Sequence, residues 1–215
     1  MIALSKQEIK KLPKVPRLNL VNSCTGYKSA NLIATKSANG VTNVAVFSSV
    51  THLGSDPALI GFILRPATVP RDTYKNIKET HYFTINHITT SHIAAAHQSS
   101  ANYTEDISEF DTTDLEAEYI EGIDTPFVKG SPVRLLCKYV NEYEIKENGV
   151  LHIIASIESI YYDEHLISGN EYFLQLDKAN VVAVNGLDGY CVPKLVDRFE
   201  YARVGVATKS FQKTE

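Results

Sequence analysis

Two Asn-Gly pairs, each set between β-forming stretches, constrain this chain more than any other feature. Asn39-Gly40 separates residues 30–35 from 41–46, and Asn148-Gly149, in the turn Glu147-Asn148-Gly149, separates the arm that begins at Pro132 from a return run over 150–162. Asn-Gly is the strongest short hairpin signal, because a two-residue turn needs positive φ at both central positions. Strands joined this tightly lie antiparallel and adjacent. In the second hairpin Val133, Leu135, Cys137 and Tyr139 alternate with Arg134, Leu136 and Lys138, the period of a strand with two different faces.

Further strands fit around these hairpins. Residues 59–64 are continuously apolar and follow Asp56-Pro57, which suits a barrel wall covered on both faces. Residues 82–88 form another strand, and residues 180–184 a last short one. Helices are expected over 71–80, with Asp72 or Thr73 capping its start, and over 91–101, capped by Ser91. A third, short helix should open on a capping box at Thr113–Glu116. Residues 1–16 read as a tail or short helix stopped by Pro13 and Pro16. About seven strands linked by local hairpins favour an antiparallel barrel over a βαβ fold. No repeat or linker divides residues 1–215, so one domain is expected, with a C-terminal extension over 186–215.

Composition narrows the function. The 215 residues are 44% hydrophobic, enough for one sizeable core, and the net charge of −4 argues against a nucleic-acid partner. No apolar run approaches the ~20 residues of a membrane span, and the first residues carry charges where a signal peptide is apolar, so a cytoplasmic protein is expected. Cys24, Cys137 and Cys191 are scattered and read as reduced thiols. His87, His92 and His97 are spaced five apart rather than three or four, so no metal site is expected.

The stretch from 43 to 76 carries the chemistry. Ser48, Ser49, Val50 and Thr51 place hydroxyls and accessible amides at a strand end. Arg65, Arg71 and a helix start at Asp72-Thr73 follow one buried strand later. Arginine forks and helix N-termini receive phosphate, so the pair suits an elongated ligand with an anionic end. The same residues could equally end a strand, form a turn and carry surface charge.

The order of the residues goes further. Asn43-Val44-Ala45-Val46-Phe47-Ser48-Ser49, then Ser55-Asp56-Pro57-Ala58-Leu59, then Arg71-Asp72-Thr73-Tyr74-Lys75-Asn76-Ile77, then Tyr82-Phe83-Thr84-Ile85-Asn86 resembles the flavin reductase-like, flavoredoxin-type family. Ser108-Glu109-Phe110 and Ser131-Pro132-Val133-Arg134-Leu135-Leu136-Cys137 match its later motifs. The resemblance spans about residues 28–160. It implies a mainly β protein with short helices: an FMN-binding split β-barrel of antiparallel Greek-key type, working as a homodimer. It also implies that Ser48, Ser49, Val50 and Thr51 contact the flavin rings and ribityl chain. Arg65, Arg71 and Thr73 would serve the phosphate, Asp72 would cap the helix behind it, and Asn86 would lie near the flavin.

Two departures stand out. Ser29-Ala30-Asn31 replaces the family's Arg-Pro at the first strand, and His152 lacks the spacing and the glycine of a reductase histidine motif, which makes it a structural strand residue. The implied chemistry is hydride transfer from NADH or NADPH to FMN, which the cofactor carries without a protein acid, base or nucleophile. An FMN-holding electron carrier or flavin store stands beside the enzyme, and a barrel relative holding haem or pyridoxal phosphate is a third reading.

Overall fold

The computed structural model describes residues 1–65 and 71–211. Seven strands form one antiparallel sheet: β1 (Asn31–Lys36), β2 (Thr42–Phe47), β3 (Thr51–Ser55), β4 (Ala58–Leu64), β5 (Tyr82–His87), β6 (Val133–Ile145) and β7 (Val150–Tyr162). Their order is β2-β1-β5-β6-β7-β4-β3. The sheet curls without pairing β2 to β3, which makes it a split barrel.

Both hairpins form, by a different turn chemistry from the one Asn-Gly suggests. Only Gly40 and Gly149 take positive φ, and neither Asn39 nor Asn148 does. In the first hairpin Ser37 N donates to Val41 O and Gly40 N to Ser37 O, a turn followed by a left-handed glycine. This is the three-residue loop, in which one residue rather than two needs the glycine conformation. The second loop is one residue longer, with Val150 paired to Ile145.

The barrel interior is apolar and aromatic. Phe62 of β4 packs edge-on to Phe47 at 5.3 Å and to Phe83 at 5.5 Å, with Ile33, Ile85, Leu135 and Ile153 around them. Edge-to-face contact is the geometry such rings prefer. In β4, Ile60, Gly61 and Phe62 are all buried, as its continuous apolar run requires. Gly61 is there because a Cβ would meet His152 Nε2 at 2.5 Å and the Ile153 carbonyl at 3.1 Å. His152 therefore covers Gly61 from β7, a structural strand position.

A second cluster covers the other face of the sheet. Leu32, Ala34 and Val44 pack against Ala95, Ala96, Leu115, Val128, Val182 and Val184. Residues Lys28–Ser29, Ala183–Asn185 and Gly189–Cys191 form a small antiparallel sheet beside it. The last expected strand thus falls on Ala183–Asn185.

The helices depart from expectation in instructive ways. Residues before the barrel form α1 (Lys6–Lys11) and α2 (Lys14–Ser23). Ser5 and Glu8 cap α1 reciprocally, and Pro16 sits in the first turn of α2, where its missing N–H costs nothing. Helix α3 (Asp72–Thr80) forms where expected, but its N-cap is Arg71, not Asp72, and among the described residues no side chain caps it. A short turn at Thr90–His92 leads into α4 (Ile93–Gln98), which Ser91 does not cap. Helix α5 is Glu109–Thr112, so Thr113 ends a helix rather than opening one. Ser108 caps it, accepting from Phe110 N. Among the described residues no helix is long and apolar enough to cross a membrane.

Candidate functional site

The segment joining β2 to β3 is the centre of the candidate site. Ser48, Ser49 and Val50 are half-buried and Thr51 is exposed. The segment is pinned at two points. Ser49 Oγ accepts from Ile63 N at 3.0 Å and donates to Ile63 O at 3.3 Å, so one hydroxyl imitates a strand neighbour of β4. The Val50 carbonyl accepts from Ser29 Oγ at 3.0 Å, and Ser29 Oγ in turn accepts from Asn31 Nδ2 at 3.0 Å. Val50's side chain packs on the barrel core.

What remains unspent is informative. Among the described residues the backbone amides of Ser48, Ser49 and Val50 have no hydrogen-bond partner, nor do the hydroxyls of Ser48 and Thr51. Three successive amides held in place with nothing to bond form a ready receptor for carbonyl or anionic oxygen.

A second feature lies along the same strands. Arg65 follows directly on β4, two residues past the Ser49 anchor at Ile63, or roughly 7 Å of strand. Arg65 and Arg71 are both exposed and form no ion pair among the described residues. The uncapped start of α3 adds its own free N–H groups. Its position is fixed by buried polar contacts: Asn43 Nδ2 donates to Thr73 Oγ1 at 3.1 Å, and Asn76 Nδ2 to Thr35 Oγ1 at 3.0 Å. Asn43 lies five residues before Ser48, so α3's first turn and the free amides are separated by roughly 17 Å of strand. That span suits an elongated ligand with its anionic group at the helix.

Two sequence expectations need correction. Asn86 is 0% exposed, and its amide is wholly committed inside the barrel. It donates to Leu32 O and Thr84 Oγ1 and accepts from Val128 N at 3.0 Å, so it ties three segments together and presents nothing to a ligand. Asp72 is the first helical residue rather than the cap, which leaves the helix start open. Thr73 and Ser49 are present at the site, but the Thr73 oxygen serves Asn43 and the Ser49 hydroxyl serves Ile63.

Glu109, flagged only as part of the Ser-Glu-Phe motif, has a structural role. Its carboxylate, 6% exposed, accepts from the amide of Val44 on edge strand β2 at 2.9 Å. Burial raises its pKa from the ordinary carboxylate range. The Ser-Glu-Phe motif is thus a device that satisfies a strand edge. Ser29 and Asn31 were missed as contributors, and the signal was the departure from Arg-Pro itself. A cavity of about 190 Å³ borders the first turns of α3, lined by Asn43, Asp72 and Lys75 together with Glu79, Glu105 and Asp106, a mostly acidic surface.

Comparison with known proteins settles the family. The flavin reductase like domain model matches residues 27–175. The chain belongs to the flavin reductase-like family. A split-barrel protein from Shewanella frigidimarina NCIMB 400, assigned as a flavin reductase, is 39% identical. The two superpose with a TM-score of 0.90 over 94% of this chain and all (100%) of that one. Two more distant structures share the fold. Nitrilotriacetate monooxygenase component B from Bacillus cereus has a TM-score of 0.78 at 20% identity, over 94% of this chain and 98% of its own. Flavoredoxin of Desulfovibrio vulgaris (Miyazaki F) has a TM-score of 0.68 at 20% identity, over 84% and 92%. A flavin reductase-like chain is a flavin-binding redox protein, and the free amides and open helix start lie inside the matched region.

Proposed function

We propose that this chain holds FMN across the gap between the 48–51 segment and the start of α3, and that the loaded protein is an NAD(P)H-dependent oxidoreductase. The observation that carries the reading is the row of three unpartnered amides at Ser48, Ser49 and Val50. The polar edge of an isoalloxazine offers carbonyl and ring-nitrogen acceptors that such a row satisfies. Arg65, Arg71 and the uncapped turn at Asp72-Thr73 supply charge and N–H groups for a terminal phosphate. A phosphate monoester at that end favours FMN over a flavin without one.

Bound FMN would supply two-electron hydride chemistry, and the protein's part is positioning. Ser49 and Ser29 fix the segment, the amides orient the rings, and the arginines hold the far end. A second copy of the chain completes the picture: Leu53, Val140, Tyr143 and Ile160 are large apolar residues left exposed on the strands of the sheet. A homodimer would cover such surface and close the open side of the site.

Three measurements test this. The purified protein mixed with FMN should show a bound-flavin absorption spectrum, and failure to take up FMN would refute the ligand assignment. Anaerobic NADH or NADPH should then bleach that spectrum. No bleaching by either nucleotide would leave an FMN-holding carrier instead of an enzyme. Light scattering at micromolar concentration should return twice the chain mass, and a monomer would refute the shared site.

A further inference from the structure

The 48–51 segment, whose amides of Ser48, Ser49 and Val50 have no partner among the described residues, is attached to the barrel at two points. Its two attachments differ in origin. Ser49 ties it to β4 through Ile63. Val50 is tied from the other side, through the Ser29 hydroxyl, by residues that replace the Arg-Pro of the first strand.

We infer that Ser29 and Asn31 are positioning residues for the ligand site, acting as a two-step clamp on the Val50 carbonyl. Asn31 is 2% exposed and lies in the register between Phe47 of β2 and His87 of β5, so its backbone cannot drift. Its Nδ2 donates to Ser29 Oγ at 3.0 Å, which orients that hydroxyl so that its proton points at Val50 O, 3.0 Å away. Ser29 is itself held by pairing with Ala183 in the small sheet. With the Val50 carbonyl engaged by the clamp, the segment is held at a second point beside Ser49, while the amides of Ser48, Ser49 and Val50 stay without a partner among the described residues. The clamp also couples the segment to residues 183–191, which the shared motif does not include. The inference rests on the reading of 48–51 as the flavin segment only for its functional consequence; the clamp itself is geometric.

The test compares Ser29→Ala with Ser29→Thr, which keeps a hydroxyl. Neither change touches the barrel core, and urea midpoints should confirm that both variants fold. Loss of both hydrogen bonds of Ser29 Oγ, to Val50 O and from Asn31 Nδ2, should weaken FMN binding by about tenfold in Ser29→Ala, read by quenching of flavin fluorescence. Ser29→Thr should bind within about threefold of the native protein. In the flavin-free protein, ¹H–¹⁵N heteronuclear NOE values at Ser48, Ser49 and Val50 should fall in Ser29→Ala and hold in Ser29→Thr. Unchanged NOE values in Ser29→Ala would overturn the clamp. Lowered NOE values with unchanged FMN affinity would overturn its link to the site. If the native protein takes up no FMN, the NOE comparison still decides the clamp, and only the flavin reading falls.

Discussion

His87 makes stability depend on pH in a direction that the buried carboxylate Glu109 opposes. It ends β5, its Nδ1 is buried without a hydrogen-bond partner, and burial pushes its pKa from 6.5 down to about 4. The folded chain therefore keeps the imidazole neutral, while the unfolded chain charges it once the pH falls below about 6.5. Between those two values the unfolded state binds more protons, so stability rises with pH there. The contribution is complete above 6.5 and is lost as the pH falls toward 4. A gap of about 2.5 units is about 3.4 kcal/mol, of which about 2.5 kcal/mol disappears between pH 7.5 and pH 4.5.

Urea unfolding at those two pH values, followed by circular dichroism, measures this. Other groups titrate over the same range. Glu109 has a raised pKa, so it gives up stability as pH rises through its folded value, the opposite sign. Comparison with His87→Gln cancels every group but one, since glutamine stays neutral throughout. The stability difference between native protein and variant should shift by about 2.5 kcal/mol toward the variant on acidification. A difference that stays constant to within about 0.5 kcal/mol would refute a His87 imidazole held neutral by its buried Nδ1.

Other perturbations probe the site and the fold. Arg71→Ala should weaken FMN binding by about 1.5–3 kcal/mol, the range for a charged hydrogen bond, in a fluorescence titration; unchanged affinity would refute the phosphate assignment. Glu109→Ala should cost about 1–3 kcal/mol in urea unfolding by leaving the Val44 amide buried and unpaired, whereas Glu109→Gln keeps an acceptor and should lose less than half as much. Phe62→Ala removes the ring between Phe47 and Phe83 and should cost about 3–5 kcal/mol. A loss under about 1 kcal/mol would mean the barrel collapses around the gap.

Local signals in the chain carried the hairpins, the buried strand β4 and α3 because each depends on residues within a few positions. They misplaced helix starts where two capping residues compete. Ser108 wins over Thr113, and extended Arg71 takes the cap position that Asp72 could have filled. Asn-Gly marked both turns correctly and their φ angles wrongly, because loop length decides how many residues turn left-handed.

The site was legible by type but not by assignment, and the reason is hydrogen-bond accounting. A sequence shows which residues own donors and acceptors; only the folded chain shows which have already been used. Asn86 looks like a ligand contact in the Tyr82–Asn86 motif, yet three segments of the barrel use its amide completely. Ser49 looks like a flavin hydroxyl, yet Ile63 takes both of its bonding roles, and only its backbone amide is left over. Ser29 and Asn31 stood out only as a departure from the family's Arg-Pro, and they hold the segment that carries those amides. The same subtraction leaves Ser48, Thr51, Arg65 and Arg71 as the residues with unspent polar side chains among those first singled out. Ser48 follows β2 and Thr51 opens β3, the two strands left unpaired at the barrel edge, while Arg65 follows β4 and Arg71 precedes α3, so the split that keeps this barrel from closing lies at the 48–51 segment.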